Sequence, residues 1–424
     1  MIKSKLFKNL SIYTFSDLIN KMVPFLLLPV LTRYLTPSDY GNIAIFFVLT
    51  SLLGVIISVE AKTSISVFFF KKSRDNLKVY IANILFIVSS FTTIILLFIL
   101  FFDSFLEEIL SLSKEWIIVA VIVTFAQFLT TVNMVLWQSE HNSIFVGVYK
   151  ISQTIINLSL SLVLIIGLKM GWEGRLIAIT FASIIFGGYS IALLFKRDYI
   201  EMKFDKESIK EALSFGLPLL PHALSVWFRT GIDRIFLTTY ISAAATGMYT
   251  VAFQIASILY VVAVALNKAF SPYLYKKLND ITTEEKIKLI RYSYGYFLLL
   301  LIGAFILSGI SPFIVNYFLG SKFVEAQQYI TFLSFSFAFQ GMYLMVVNYV
   351  LYMKKTAFLS YVTITISIIH ILLSYILITH YGLLGAAQAT LITSILTFFS
   401  VWTLSCKVYQ MPWLSVFTRN YKSE

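Results

Sequence analysis

Twelve long apolar segments dominate this sequence and limit the folds that are open to it. A helix needs roughly 20 apolar residues to cross a bilayer, and every one of these segments is near that length. Only 13% of the 424 residues are charged, whereas 58% are hydrophobic, which leaves too little polar surface for a soluble protein. The sequence therefore predicts an all-α polytopic membrane protein. Its twelve expected transmembrane helices lie near 10–32, 41–59, 79–102, 116–137, 146–167, 175–195, 212–238, 247–267, 292–312, 327–350, 357–379 and 383–405.

The segment 60–78 follows the second of these helices and is apolar only over the short stretch Ile65–Phe70. That stretch is too short to cross a bilayer. We expect the segment to extend the second helix along the membrane interface.

The basic residues indicate how the chain is oriented. A net charge of +12 could point to nucleic acid, but the distribution of the charge argues against that partner. With a cytoplasmic N-terminus, 25 of the 33 Lys and Arg residues lie in cytoplasmic segments and three lie within helices. Cytoplasmic loops carry an excess of Lys and Arg, so we expect both termini inside and no nucleic acid. The five remaining basic residues, in outer segments, are Arg33, Lys114, Lys169, Arg175 and Lys322.

Several short elements recur in the second half of the chain in the same order. Six helices per repeat keep both repeats in one orientation, as in parallel repeats. The sequence thus predicts two six-helix bundles, 1–195 and 211–424, joined by a charged cytoplasmic linker at 196–210. The recurring elements are Leu31-Thr32-Arg33-Tyr34 with Gly41 and Leu237-Thr238-Thr239-Tyr240 with Gly247 (offset 206), Asn157 with Ser161 and His370 with Ser374 (offset 213), and Gly171-Trp172-Glu173-Gly174 and Gly382-Leu383-Leu384-Gly385 (offset 211).

One helix in each half combines prolines with charges that are costly at membrane depth. The segment Leu217–Tyr240 contains Arg229, Asp233 and Arg234, and the first helix contains Asp17 and Lys21. Prolines bend a helix or free its backbone carbonyls. Discontinuous helices in corresponding positions of two repeats are typical of a transporter's binding site. The prolines are Pro24 and Pro29 in the first helix and Pro218 and Pro221 in the seventh.

Two interpretations of these charges are open from the sequence. Arg229 and Asp233 are four residues apart and share a helix face, so they form either a self-neutralising pair or part of a substrate or ion-coupling site. The same alternatives hold for Asp17 and Lys21. Arg234 has no acidic residue four positions away, and its guanidinium offers a fork of donors suited to phosphate oxygens. Within the two helices the three basic residues outnumber the two acidic ones, which favours a substrate with an anionic head group. Asp17 and Asp233 then either pair with the basic residues or bind a coupling ion, H+ or Na+.

Short motifs in four helices carry a resemblance to a known family. They are the run Leu28–Gly41, then Gly216-Leu217-Pro218 and Asp233-Arg234-Ile235-Phe236-Leu237, then Gly247-Met248-Tyr249, and finally Tyr381–Ala387. In this combination they resemble the polysaccharide-transport family, the flippases of lipid-linked oligosaccharides within the multidrug/oligosaccharidyl-lipid/polysaccharide exporter superfamily.

The resemblance implies two bundles around a central cavity that opens alternately to each side of the bacterial inner membrane. It implies transport of an undecaprenyl-diphosphate-linked oligosaccharide repeat unit, as in O-antigen and lipopolysaccharide biosynthesis. The expected partners are this substrate, membrane lipid, a coupling ion and the glycan polymerase machinery. Thr239 stands where a second copy of Arg33 would lie. The candidate substrate-binding residues are Lys21, Arg33, Arg229 and Arg234.

Two other functions remain open. A cation-coupled multidrug exporter of the same superfamily is expected to need a more acidic cavity. A membrane glycan polymerase, which is an enzyme, usually carries a large outer loop, whereas the longest outer connection here is 103–115. The sequence has neither a GxxxxGK[ST] loop nor an HExxH motif, and its four histidines lack metal-ligand spacing. We therefore expect no enzyme activity, no cofactor and no metal site.

Overall fold

The computed structural model describes residues 22, 23, 25–279 and 281–413, and every regular element among them is helical. One compact unit comprises the described residues up to Trp227 together with Ile241–Gly247. The helices of this unit are α1 (Phe25–Tyr34), α2 (Pro37–Ser58), α3 (Ala61–Phe68), α4 (Arg74–Phe101), α5 (Asp103–Leu110), α6 (Lys114–Ser139), α7 (Ser143–Leu162), α8 (Gly171–Lys196) and α9 (Lys206–Gly216). α7 continues as a π-helix over Val163–Gly167.

The second compact unit comprises Phe228–Tyr240 and the described residues from Met248 onward. Its core is rich in aromatic side chains; the rings of Phe297 and Phe398, for example, meet edge to face with centroids 5.3 Å apart. The helices that lie wholly or partly in this unit are α10 (Leu220–Tyr240), α11 (Ala243–Ala256), α12 (Ile258–Lys277), α13 (Thr283–Phe318), α14 (Gln327–Tyr352) and α15 (Thr356–Val408).

The number of membrane crossings follows from the helix lengths. Nine stretches of the described residues are long and apolar enough to cross a membrane. One of them, α15, has 53 residues and is interrupted at Gly382 (φ 58°, ψ −131°), so it supplies two crossings of a hydrocarbon core about 30 Å thick. The charged α10, with 21 residues, and the predicted first helix, of which α1 is the described part, bring the count to twelve. The predicted all-α fold with twelve transmembrane helices is confirmed.

The expected extension of the second helix over 60–78 was wrong. α2 ends at Ser58 because Val59 and Glu60 adopt left-handed backbone conformations, with φ 44° and 54°. Left-handed backbone cannot continue the hydrogen-bond ladder of a right-handed helix. A separate eight-residue helix, α3, follows instead, and α4 begins after Ser73, whose hydroxyl caps the backbone N–H of Asn76.

Much of the predicted linker, 196–210, is bound to α4. The amide group of Asn83 donates to the carbonyl of Lys203 at 2.8 Å and accepts from the backbone N–H of Asp205 at 3.0 Å. The guanidinium of Arg74 stacks on the Tyr199 ring, 3.4 Å from its centroid. Residues 206–210 already belong to α9. The segment is therefore part of the first unit rather than a free connection.

The first residues of α9 are fixed by a capping interaction. Asp205 accepts hydrogen bonds from the hydroxyl and the backbone N–H of Ser208, at 2.6 and 3.0 Å. These bonds, the hydroxyl first, hold the pKa of Asp205 below its ordinary value. An aspartate at this position satisfies donors that the helix leaves unpaired.

The predicted seventh helix, 212–238, is interrupted near its start. α9 ends at Gly216, a 3-10 turn covers Leu217–Leu219, and α10 begins at Leu220. Pro218 lies within the turn and Pro221 in the first turn of α10. Proline lacks an N–H donor but fits the first turn of a helix, where no acceptor is waiting. The two prolines thus lie at the junction between α9 and α10.

α2 and the first turn of α11 cross at two glycines within the first unit. A methyl group on Gly41 would lie 1.8 Å from the carbonyl oxygen of Ala243, and one on Gly247 would lie 1.8 Å from that of Pro37. Ordinary carbon contacts are about 3.5–4.0 Å, so only glycine permits this approach. Ala243 follows Pro37, and Gly247 follows Gly41, by the same 206 positions. The contact is therefore reciprocal.

Two further observations support the internal repeat. Gly171, at the start of α8, and Gly382, within α15, have φ 59° and 58° and are the glycines with positive φ in the described part of the chain. They are the pair expected at offset 211. α6 and α14 are the fourth and tenth crossings, and each is buried over more than half of an apolar stretch of 18 residues. The exact bundle boundaries stay a prediction.

Candidate functional site

α10 holds the three charges that were predicted for the seventh helix, and all three belong to the second unit. Asp233 is 2% exposed and Arg234 is 8% exposed, while Arg229 is half-buried. Of the residues predicted in the first helix, Arg33 is exposed in the last turn of α1 and Pro29 lies within α1. Asp17, Lys21 and Pro24 lie outside the described residues.

The carboxylate of Asp233 accepts hydrogen bonds from hydroxyl groups of α11 and α15. Ser374 donates to Oδ1 at 2.6 Å. Tyr249 and Thr390 lie 3.0 Å from Oδ2, and their two hydroxyl oxygens are 2.9 Å apart. Such donors are required because burying an unpaired charge is costly.

His370 lies on the same carboxylate. Its Nε2 atom is 3.3 Å from Oδ1 of Asp233, and its Nδ1 atom is 3.0 Å from the Thr393 hydroxyl. The side chain of His370 is only 1% exposed, so its hydrogen-bond partners are these protein groups rather than bulk water. We refer to the group as the Asp233 cluster: Asp233, Tyr249, His370, Ser374, Thr390 and Thr393, all of them buried.

The interpretation of Arg229 and Asp233 as a self-neutralising pair was wrong. Among the described residues no carboxylate lies within ion-pair distance of Arg229; its Nη1 atom donates to the hydroxyl of Thr397 at 3.3 Å. Its Nε atom is buried and has no hydrogen-bond partner in the described part of the chain. The spacing of four residues places both side chains on one face, but His370 and the hydroxyl groups hold the carboxylate.

Arg234 has no acidic residue four positions away in the sequence, but in the structure its guanidinium has several other partners. Its Nη1 atom donates to the carbonyl of Thr230, one turn earlier in α10, at 2.6 Å, and its Nε atom donates to Thr250 at 3.2 Å. The guanidinium lies 4.4 Å from the Phe253 ring centroid and 5.6 Å from that of Tyr249. A cation over an aromatic face is attracted by the ring quadrupole. Arg234 therefore has partners that are not acids.

The first unit contains a cationic counterpart of the Asp233 cluster. Arg175 donates to the side-chain oxygen of Asn157 at 2.5 Å and also to the hydroxyl of Ser161. Asn157 and Ser161 occupy the positions that the repeat pairs with His370 and Ser374. Corresponding polar pairs thus hold an arginine in one unit and an aspartate in the other. The sequence had placed Arg175 in an outer connection, whereas it lies in the first two turns of α8.

Sequence reasoning did not assign a role to the partners of Asp233 or to Arg175. The usable signal was the repeat itself, because Asn157 with Ser161 and His370 with Ser374 are polar pairs one turn apart on apolar helices. Thr390 belongs to no such repeated pair, and Tyr249 was noted only within the motif Gly247-Met248-Tyr249. Within the described residues no group of three or more His, Cys, Asp or Glu side chains could hold a metal ion.

The sequence is similar to a known family and to two bacterial proteins. Residues 6–278 match the family described as polysaccharide biosynthesis protein. A Haemophilus influenzae protein named for the Lsg locus is 27% identical over 330 residues, which are 77% of this chain and 79% of that protein. A second protein of that organism, described as an uncharacterized membrane protein, is also 27% identical over 330 residues, covering 77% of this chain and 78% of its own.

Two solved structures share the fold. The inward-facing conformation of a multidrug resistance MATE family transporter of the MOP superfamily has a TM-score of 0.74 at 15% identity, covering 92% of this chain and 96% of that one. The lipid II flippase MurJ, in an inward closed conformation, has a TM-score of 0.70 at 13% identity, covering 97% and 93%. At such identities the likeness concerns the fold alone.

Proposed function

Because the chain belongs to the polysaccharide biosynthesis protein family, we propose that it is a flippase for an undecaprenyl-diphosphate-linked oligosaccharide repeat unit. It moves this substrate from the cytoplasmic to the outer leaflet of the bacterial inner membrane by alternating access. The family and the multi-pass transporter fold support a membrane transporter of polysaccharide biosynthesis. The O-antigen type of substrate, the cytoplasmic termini and the absence of enzyme activity belong to the proposal.

The observation that supports an anionic substrate best is the state of Arg229. A guanidinium at membrane depth costs about 2.5–3.5 kcal/mol on insertion scales, and here the neighbouring carboxylate does not offset that cost. The buried Nε atom has no partner among the described residues. A diphosphate offers oxygen acceptors that fit the fork of guanidinium donors. Arg229 is therefore the first candidate to bind the diphosphate.

Arg234, Arg33 and Lys21 complete the proposed set of substrate-binding residues. Arg234 follows Asp233 directly and contacts the hydroxyl of Thr250 and the ring of Phe253. Arg33 is exposed and suits a role on the route of the anionic head group. Lys21 enters the proposal from its place in the charged first helix.

The two bundles, 1–195 and 211–424, are the proposed moving bodies of the transport cycle. Asp233 is the proposed ion-coupling residue of the second bundle, and Asp17 that of the first. The multidrug exporter is the competing function, because a MATE family transporter has the same fold. The net basic charge of the candidate residues argues against cationic drugs.

Complementation of a strain that lacks its oligosaccharide flippase tests the proposal. Surface glycan should return with the wild-type chain, be lost with Arg229→Ala, and return in part with Arg229→Lys, which keeps the charge but loses the fork. Arg291→Ala, at an exposed position near the start of α13, is the matched control and should transport normally. Signals are normalised to membrane-inserted protein.

Two results would contradict the proposal. Wild-type glycan levels with Arg229→Ala, Arg234→Ala and Lys21→Ala would remove the cationic site. Drug resistance conferred by the wild-type chain, with no surface glycan in any host tested, would favour the exporter.

A further inference from the structure

His370 and Asp233 form a buried acid–base pair whose surroundings suit two protonation states. Nε2 of His370 faces the carboxylate at 3.3 Å, and Nδ1 faces the Thr393 hydroxyl at 3.0 Å. The imidazole donates at both nitrogens when it is charged, and at only one when it is neutral. The question is therefore which partner changes role when a proton leaves.

Thr393 can change role without moving its oxygen. Its hydroxyl lies 2.8 Å from the carbonyl of Ala389, one turn earlier on the same helix. When the hydroxyl donates to that carbonyl, its oxygen accepts from Nδ1–H of a charged imidazole. When the hydroxyl rotates and donates to Nδ1, the imidazole is neutral and Nε2–H still donates to Asp233. Both nitrogens are hydrogen-bonded in either state, since the carbonyl of Ala389 keeps its helix partner.

The carboxylate is likewise prepared for both states. With the proton bound, imidazolium and carboxylate form a neutral pair; after its release the pair carries one negative charge on Asp233. Ser374 at 2.6 Å, and Tyr249 and Thr390 at 3.0 Å, remain as donors to that charge. Hydrogen bonds to a charged group are worth more than bonds to a neutral one. The hydroxyl groups thus keep the unprotonated state accessible in a buried position.

Few other ionisable groups surround His370. Asp233 on α10 is the one in direct contact among the described residues. Tyr249 on α11 reaches the pair through the carboxylate, and Arg234 lies beside the Tyr249 ring. The part of α15 after Gly382 supplies the hydroxyl groups of Thr390 and Thr393, and α14 supplies the amide of Gln340 to Ser394 at 3.2 Å.

We propose that the Asp233–His370 pair binds and releases one proton during the transport cycle, with Thr393 as the partner that changes its hydrogen-bond role. The proton passes between the pair and water, and no other bond forms or breaks. Its release makes the pair one unit more negative next to Arg234 and one turn from Arg229. The role in the transport cycle rests on the proposed function, whereas the proton site itself does not.

Solid-state NMR of the full chain in proteoliposomes, with 15N-labelled histidine, measures proton occupancy directly. The chain has four histidines, and His370→Gln identifies the signals of His370 by their loss. Between pH 5 and pH 9 in potassium buffer, these signals should pass from the doubly to the singly protonated imidazole. His380→Gln, at an exposed position in the same α15, is the matched control and should leave that titration unchanged.

Thr393→Val tests the hydrogen-bond role without removing the histidine. The charged imidazole loses the acceptor of its Nδ1–H, whereas the neutral form loses a donor, so the pH response of the His370 signals should differ from that of wild type. The one histidine signal that moves in this variant also identifies His370 if His370→Gln fails to insert.

Three results would overturn the proton site. They are His370 signals that stay in one protonation state from pH 5 to pH 9, a Thr393→Val midpoint equal to that of wild type, and signals that respond to added sodium chloride but not to pH. The proposed flippase function is read separately from surface glycan, so a titrating pair in a chain that fails complementation refutes the function and not the proton site.

Discussion

A methyl group at Gly41 tests the backbone contact between α2 and α11. To reach an ordinary carbon contact of about 3.5 Å from 1.8 Å, α2 and the first turn of α11 must separate by roughly 1.7 Å. Overpacking of this kind typically costs about 1–3 kcal/mol. Gly54→Ala is the matched control, because Gly54 lies on the same helix with nothing within 4 Å of the added methyl group. Both variants gain the same helix preference of alanine over glycine, about 1 kcal/mol, so their difference isolates the steric cost.

Thermal unfolding of purified protein, followed by tryptophan fluorescence at one scan rate, is the assay. Gly41→Ala should unfold at a lower temperature than Gly54→Ala by a margin equivalent to about 1–3 kcal/mol. Gly247→Ala should behave like Gly41→Ala, since its methyl group would meet the carbonyl of Pro37 at the same distance. The double variant should cost little more than either single one, because one separation relieves both clashes. Equal stability of Gly41→Ala and Gly54→Ala would refute the close contact.

Three further predictions concern topology, the linker and pH. With Cys406 replaced by serine, a cysteine at Ser111 should react with a membrane-impermeant reagent in intact cells and one at Asn279 should not; the reverse pattern would overturn the orientation. Asn83→Ala removes both hydrogen bonds that hold the segment around Lys203, so trypsin should cut there faster than in the control Ser90→Ala on the same α4, and equal rates would mean that other contacts suffice. Ser208 lowers the pKa of Asp205, so the stabilising effect of the Asp205 cap is present above the ordinary carboxyl value of about 3.9 and is lost as pH falls through the lowered value. Backbone amides at the start of α9 should therefore lose protection from hydrogen exchange only in that acidic range. The Asp205→Asn variant has no carboxyl group to protonate at this position, so its protection there should not change with the same acidification.

The crossings could be predicted from the sequence because length and hydropathy decide them. α15 shows the strength of such reasoning, since the two predicted helices 357–379 and 383–405 are separated at Gly382, the glycine that the repeat had singled out. The end of α2 could not be predicted, because Val59 and Glu60 take left-handed conformations that their residue types disfavour. Val59 is buried, and the hydropathy of the sequence does not indicate where the backbone changes direction.

The candidate site shows a sharper limit. Spacing along one helix indicates only partners on that helix, and so Arg229 was the one pairing partner that it offered for Asp233, beside a role in a substrate or coupling site. The partners that hold the carboxylate are Ser374 and His370 on α15 and Tyr249 on α11. Such contacts depend on which faces of neighbouring helices pack against each other. The pattern of apolar and polar residues along the sequence does not specify that packing. The repeat nevertheless marked His370 and Ser374 as unusual before their partner was known.

The crossing of α2 and α11 also indicates which positions in the two halves of the chain can differ in residue type. It has the form of an isologous contact, in which a position in one copy meets the matching position in the other, as expected if a duplicated ancestor once paired with itself. What each glycine meets is a main-chain carbonyl, and every residue type carries one. The positions opposite the glycines therefore do not require one residue type, and they hold Pro37 and Ala243. The two glycines have no such freedom, because a side chain at either position would force the same pair of helices apart.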